Sequence, residues 1–378
     1  LAKVLFICPI APGTARVGLA MRAGVSLEGL SRRHDVRVAV VARSAEVASL
    51  EWAEARAAEV IALPLDRDHT SARSWLATAR GRSLAAGPLP QLTRHRPPVI
   101  GERIAESFGL AFDVVVTMRT YLAGVTIPFL EAGVPGVLDA DDDDARTSEA
   151  LARLDPSEAD EVAALAEFQR AAFPMFERVF FASALDAVPP FEHLPNAVRI
   201  PARWTMRAPA DPLDLVFVGL PGYLPNRDAI ERLDRIVSAI AAMGVDVQLH
   251  RPGPDDDVGP YYGRAHIAVV PIRAGGGTRI KILEAFAHGC PVVATPSGAR
   301  GLDVEDDRHL VITADDDDDV AFAEAVVALA RDDGRRARLA ATAREFVQRH
   351  HDVETVGEQL ATVVSRVASN AAHKEDEA

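Results

Sequence analysis

Apolar, β-branched runs alternate with alanine-rich amphipathic stretches along most of this chain, which predicts strands separated by helices. In the first half, 4–7, 36–41, 59–63, 114–117 and 136–139 have the length and character of buried strands. Between them, 17–31, 51–58 and 100–107 read as helices. A helical stretch over 148–178, ending among Phe173, Phe176 and Phe180, leads into a short strand at 179–182. Pro189, Pro190, Pro195, Pro201, Pro209 and Pro212 then crowd together and mark a linker. The pattern restarts with a strand at 213–218, a helix at 226–243, and strands at 245–249, 267–270, 292–294 and 310–312. Residues 320–369 are almost all helical, and the polar 370–378 should be disordered. Alternation of this kind gives parallel sheets covered by helices on both faces. We therefore expect two doubly wound α/β domains in tandem, 1–200 and 201–345, with a cleft between them. Residues 346–378 should form a helix that packs back, then a polar tail. Ligands in such sheets bind beyond the carboxyl ends of the strands.

The segment 267–301, IAVVPIRAGGGTRIKILEAFAHGCPVVATPSGARG, carries the most chemistry. A strand runs into Gly275, Gly276 and Gly277, whose backbone can approach a ligand closely. Residues 278–288 then read as a helix stopped by Gly289 and Pro291. The start of a helix offers unpaired N–H groups and a positive dipole end, and Arg279 and Lys281 add formal charge there. That helix is apolar nearly all round, yet Lys281, Glu284 and His288 fall on one line. Such a polar stripe is either a surface ion pair or one wall of a cleft holding phosphates at the helix start and a polyol near Glu284. Glycines, cations and an inward carboxylate within one short segment favour the second reading.

Composition narrows the rest. A net charge of −14 argues against nonspecific nucleic-acid binding. The acidic runs 141–144, 255–257 and 315–319 read as solvated loops, since no spacing suits a hard-metal loop. Cys8 and Cys290 fit buried thiols in a reducing compartment. No apolar run approaches a membrane span, and LAKVLFICPI reads as a first core strand rather than a signal peptide. We expect a cytoplasmic protein, free or peripheral to the inner membrane face. The basic segment 64–98 is either an exposed helical excursion or an edge that meets an acceptor or membrane surface. His34, His95 and His193 read as structural or surface histidines. Neither a GxGxxG fingerprint nor a Walker motif is present, so dinucleotide oxidoreduction and phosphoryl transfer from ATP are poorly supported.

The pieces LVFVGLPGYLPNRDAIERL (215–233), DDVGPYYGRAHIAVVPIRAGGGTRIKILEAFAHGCPVVAT (256–295) and the GARGL turn (298–302) resemble family 4 glycosyltransferases, group 1, of the GT-B type. The glycine loop at Gly13, RTYLAG (119–124) and VLDADDDDARTSEAL (137–151) extend the likeness into the first half; the last is similar to an aspartate-rich loop of a polysaccharide-biosynthesis subset. The resemblance implies two facing Rossmann-like domains. It implies retaining transfer of a sugar from a nucleotide sugar to an acceptor hydroxyl, with no bound metal or other cofactor. The acceptor would be a glycan, a lipid-linked sugar or a small molecule. Gly275, Gly276, Gly277 and Thr278 would present N–H groups to the donor diphosphate, with Arg279 and Lys281 neutralising it. Glu284 would hold the ribose, Asn226 and Arg227 would sit where the family often places a phosphate-binding residue, and Arg251, in the loop 250–257, would lie against the base. Gly219 would let backbone approach the donor, and Gly13 would let the first domain's loop approach the acceptor or the diphosphate. Asp139, Asp141 and Asp142, which follow the strand 136–139, are either acceptor contacts or part of a solvated acidic loop, and Asp139 and Asp142 join Lys281 and Glu284 as the catalytic candidates. Arg119 and Tyr121, just after the strand 114–117, are further candidates for the acceptor side of the cleft. The likeness departs in two places. Gly276 stands where the family's E-x7-E motif has its first glutamate, and only about 17 residues separate the strand at 245 from that at 267, where the family usually has one more strand–helix unit. A nucleotide-sugar epimerase and a non-catalytic nucleotide-sugar-binding subunit remain as alternatives.

Overall fold

A computed structural model describes residues 1–14, 17–42, 49–64, 97–204, 207–208, 211–254 and 256–376. Two compact units divide the chain. One comprises 1–148, 159–194 and 356–378, the other 149–158 and 195–355.

The first unit is built on a seven-stranded sheet in the order β3-β2-β1-β4-β5-β6-β7. Its strands are β1 (Lys3–Cys8), β2 (Asp35–Ala42), β3 (Glu59–Pro64), β4 (Val114–Met118), β5 (Gly136–Asp141), β6 (Arg178–Phe181) and β7 (Glu192–His193). Every pairing is parallel. The central strands are continuous apolar runs because helices cover both faces. Val4, Leu5, Phe6 and Ile7 are fully buried, as are Val114, Val115 and Val116. One face packs α3 (Pro97–Phe108) and α4 (Ile127–Glu131) on β1 and β4 through Ile104, Phe112 and Phe129. Another cluster packs α6 (Val162–Ala172) on β5 and β6 through Leu165, Phe168 and Phe181. The helix α1 (Gly18–Ser31) meets α13 (Val353–Asp376) where Gly29 faces Gly357; a Cβ on Gly29 would lie 2.3 Å from the Gly357 carbonyl oxygen.

The second unit has a five-stranded parallel sheet, β12-β11-β10-β8-β9. Its strands are β8 (Leu213–Val216), β9 (Val247–His250), β10 (Ile267–Val270), β11 (Val292–Ala294) and β12 (Val311–Ile312). The chain leaves edge strand β9 and passes through one short helix, α8 (Gly259–Arg264), directly into β10. The long α7 (Leu224–Ala242) and α11 (Asp319–Ala330) flank the sheet, and α12 (Asp333–His350) completes the unit.

Four expectations change. The stretch 148–178 is broken rather than one helix: α5 (Asp144–Leu151), a 3-10 turn (Pro156–Glu161), then α6. Pro156, placed where α5 has ended, keeps the two apart. The helix expected over 51–58 is one turn, α2 (Glu51–Glu54). The proline-rich linker contains β7, a two-residue strand too short for any periodicity. The tail is helical through Asp376 rather than disordered. Most of 64–98, including His95, lies outside the described residues.

Candidate functional site

Strand order fixes where ligands can sit. In the second sheet the chain goes from β8 outward to β9, then returns to β10 on the other side of β8. The loops after β8 and β10 therefore flank a topological switch point. Those loops carry Gly219 and the triple glycine. Gly275 has φ 109°, and a Cβ there would press the Tyr223 hydroxyl at 2.9 Å, so only glycine fits. The loop ends in α9 (Ile280–Ala287), whose N-cap residue, Arg279, gives no side-chain cap. The Ile282 N–H turns back to the Arg279 carbonyl at 2.9 Å, which leaves the N–H groups of Ile280 and Lys281 to face the loop without a side-chain cap.

Arg279 turns inward. It is 8% exposed, and its guanidinium donates to the carbonyl oxygens of Ala274 and Gly275, both at 3.1 Å, and to that of Gly276. It braces the glycine loop from behind, which the sequence reading missed. Lys281 points the other way. Its Nζ donates to Asn226 Oδ1 at 2.7 Å and sits 4.4 Å from the centre of the Phe217 ring. A Cβ on Gly219 would come within 2.9 Å of the same ammonium. The resemblance had offered Asn226 and Arg227 together; it is Asn226 that meets Lys281, while Arg227 is exposed. Arg251 is likewise exposed, in the loop after β9.

The polar stripe on α9 is real. Ile282, Leu283, Ala285, Phe286 and Ala287 are fully buried, whereas Lys281, Glu284 and His288 are half-buried. Tyr262 of α8 covers the stripe: its hydroxyl donates to the Lys281 carbonyl at 3.0 Å, and its ring stacks on His288 with centroids 5.7 Å apart. Burial pushes the Lys281 amine down to about 7, with the Arg279 charge adding to the shift and Glu284 opposing it. Burial pushes the Glu284 carboxyl up to about 7, opposed by Lys281 and by a hydrogen bond from Tyr262. The two groups are thus poised near neutrality, where a bound anion or hydroxyl decides their charge.

In the first sheet the switch point lies between β1 and β4. The loop after β1 bears Gly13, where an added Cβ would meet nothing within 4 Å. The loop after β4 bears Arg119 and Tyr121, with the Arg119 guanidinium 5.5 Å from the Tyr121 ring centre. Arg119 binds three carboxylates: Asp141 at 3.1 Å, Asp142 at 3.0 Å and Asp144 at 2.6 Å. Both Arg119 (φ 73°) and Asp141 (φ 65°) adopt left-handed backbone, and β5 is bulged between Asp139 and Asp141. Burial, with the Asp142 charge, raises the Asp141 carboxyl to about 7; burial raises Asp144 to about 6. Asp139 joins this group through Arg22, which also lies 3.4 Å from Asp141. Asp139 is 1% exposed and locked in a two-point ion pair with Arg22, at 2.8 and 2.6 Å. A carboxylate so enclosed is a structural anchor, which corrects its place among the catalytic candidates. Arg22 could be found only in three dimensions, since it lies on α1 in an ordinary helical sequence.

The acidic runs are not simply solvated. Asp316 accepts from the Ser297 amide and hydroxyl, Asp317 pairs with Arg273 at 2.9 Å, Asp318 caps α11, and Asp319 binds Arg232 and Arg235, each at 2.7 Å. Asp256 accepts from the Gly253 amide and the Tyr261 hydroxyl, which stiffens the loop after β9. Asp255 lies outside the described residues. Cys8 and Cys290 are buried free thiols, each raised to about 12 by desolvation. His34 and His193 each direct Nε2 at a backbone carbonyl. Among the described residues no helix is long and apolar enough to cross a membrane.

Residues 192–332 match the family model "Glycosyl transferases group 1". The chain is 28% identical over 299 residues to a D-inositol 3-phosphate glycosyltransferase of Salinispora tropica, covering 78% of this chain and 58% of that protein. It is 32% identical over 158 residues to the protein of the same name from Xylanimonas cellulosilytica, covering 42% and 33%. The matched stretches thus span little more than half of the first of these curated relatives and a third of the second. In fold it is similar to sucrose-phosphate synthase from Thermosynechococcus elongatus, with a TM-score of 0.69 at 15% identity over 98% of this chain and all of that one. HepE from Anabaena, solved with UDP and glucose, gives 0.63 at 16% identity over 97% and 100%. WaaG, a glycosyltransferase of lipopolysaccharide biosynthesis, gives 0.62 at 15% over 96% and 99%. The fold is of the GT-B type, and residues 192–332 are similar to the domain of the group 1 glycosyl transferases.

Proposed function

We propose that this protein transfers a glycosyl group from a nucleoside diphosphate sugar to an acceptor hydroxyl, with retention of configuration. The observation that carries the reading is the switch point of the second sheet. There the glycine loop, the uncapped start of α9 and the Lys281 ammonium on Asn226 converge beside Gly219. Loop N–H groups receive the diphosphate, and Lys281 gains its full charge as negative charge develops on the departing group. Glu284, one turn further along α9, takes the ribose hydroxyls. The bond from the anomeric carbon to the diphosphate oxygen breaks, and a bond to the acceptor oxygen forms on the same face. The acceptor proton passes to the leaving diphosphate. This route needs positioning and charge stabilisation rather than a protein nucleophile, and no metal is required for it.

In the first domain, Asp142 and Arg119 are proposed as acceptor contacts. Four carboxylates around Arg22 and Arg119 leave the region net negative, which disfavours a phosphorylated acceptor and favours an uncharged polyol or glycan. Inositol phosphate, named for the curated relatives, is therefore the acceptor to test against neutral sugars. The buried thiols support a reducing, cytoplasmic location, with the membrane face a site of contact if the acceptor is lipid-linked. The test is acceptor-dependent release of nucleoside diphosphate from UDP-, GDP-, TDP- and ADP-glucose, with the anomeric configuration of the product read by NMR. An inverted product would contradict retention. Binding without release across a broad acceptor panel would support the non-catalytic subunit.

A further inference from the structure

We infer that Asn196 is a positioning residue for the donor loop: its side-chain amide turns the Thr278 hydroxyl so that its proton is donated to the diphosphate. The inference rests on the proposed donor site but concerns a residue outside it in sequence. Asn196 is 5% exposed, and its Nδ2 donates to Thr278 Oγ1 at 2.8 Å. The backbone around it is pinned from the corner between α12 and α13. His351 Nδ1 donates to the Asn196 carbonyl at 2.7 Å, the Val198 amide donates to the His351 carbonyl at 2.9 Å, and Val198 bridges Asp352. A buried amide held this firmly cannot follow a moving partner, so it sets the partner's orientation.

Thr278 follows Gly277 and precedes the uncapped start of α9, and it is half-buried. A threonine hydroxyl has one proton and two lone pairs. With a lone pair turned to Asn196 Nδ2, the proton must point elsewhere. In the proposed donor site the diphosphate lies at this turn, between the glycine loop and the start of α9, and it is the acceptor we assign to that proton. The hydroxyl then joins the loop N–H groups and Lys281 as a fixed donor rather than a rotor, without reorganisation when the ligand arrives. The amide orientation is the essential element. Were Oδ1 turned to Thr278, the hydroxyl proton would be consumed by Asn196 and unavailable to phosphate.

The test uses the full chain and the nucleoside diphosphate that binds most tightly among UDP, GDP, TDP and ADP, beside the matching monophosphate. Asn196→Ala and Thr278→Val should each weaken the diphosphate about tenfold, the scale of one hydrogen bond to a charged group. The monophosphate should weaken much less, and the double variant should lose no more than either single one. Thr278→Ser should retain wild-type affinity. Asn196→Asp, which keeps the shape but accepts the hydroxyl proton, should weaken the diphosphate more than Asn196→Ala does; it also carries the test if Asn196→Ala fails to fold. A purely structural Asn196 would lower the melting temperature and leave the ratio of diphosphate to monophosphate affinity unchanged, and that overturns the inference. So does a double variant whose losses simply add. If the unsubstituted protein binds none of the four nucleotides, the donor site itself falls, a failure distinct from a wild type that binds and Asn196 variants that match it.

Discussion

Lys281, half-buried, and Asp139, buried, show how differently two enclosed charges behave. Asp139 is paired with Arg22 at two points, so Asp139→Ala should leave that buried guanidinium only Asp141, at 3.4 Å, as a carboxylate partner and cost about 3 kcal/mol in urea denaturation. Unchanged stability with lost activity would restore Asp139 to a catalytic role. Lys281 is held near neutrality. Between about pH 7 and 10.5 the unfolded chain binds a proton at Lys281 that the folded chain does not, so this group makes folding more favourable as pH rises through that window. Lys281→Met should flatten that rise in a melting-temperature profile. A bound diphosphate raises the Lys281 pKa again, so binding should take up protons near pH 7 and weaken as pH rises above it. Calorimetric titration in buffers of different ionisation enthalpy measures that uptake; none would contradict the contact. At this scale the sequence was legible where charge fell on an apolar helix, as with Lys281 and Glu284. It was silent where a partner lay far away in the chain: Arg22 for Asp139, Asn196 for Thr278, Tyr262 for the stripe on α9. Arg279 misled because a cation beside glycines reads as an anion ligand, whereas its reach curls back to the loop carbonyls.

Among elements, the two glycine loops make opposite demands. Gly275 combines a positive φ with a crowded Cβ position, so Gly275→Ala should deform the loop and lower both stability and diphosphate affinity. Gly13 has open space at that position, so Gly13→Ala should leave the melting temperature within about a degree and act only through ligand kinetics. Matching melting losses in both variants would contradict this contrast. Strands and long helices were legible because burial on both faces leaves continuous apolar runs such as Lys3–Cys8 and Val114–Met118. Short elements were not. The two residues of β7 have no period to detect, and the break between α5 and α6 depends on a proline within an otherwise helical composition. The acidic runs looked like solvated loops because side-chain partners such as Arg232 for Asp319 and Arg273 for Asp317 are remote in sequence.

For the molecule as a whole, both sheets follow one rule. Each begins with a central strand, builds to one side, then crosses to the other, and each places its chemistry in the two loops beside that crossing. The alternation of strand and helix was enough to expect two such domains. Their divided membership, with 149–158 in the second unit and 356–378 in the first, comes from packing that no local pattern encodes. The second sheet's five strands and single short helix between β9 and β10 agree with the short interval in the sequence, and they leave both loops of the switch point in place. The account stands on that site taking a nucleoside diphosphate. Calorimetric titration of the protein and of Lys281→Ala with UDP, GDP, TDP and ADP tests it most directly. Micromolar binding of one nucleotide, weakened at least a hundredfold in the variant while its melting temperature holds, is the predicted result. No binding, or equal binding by both proteins, would contradict the account.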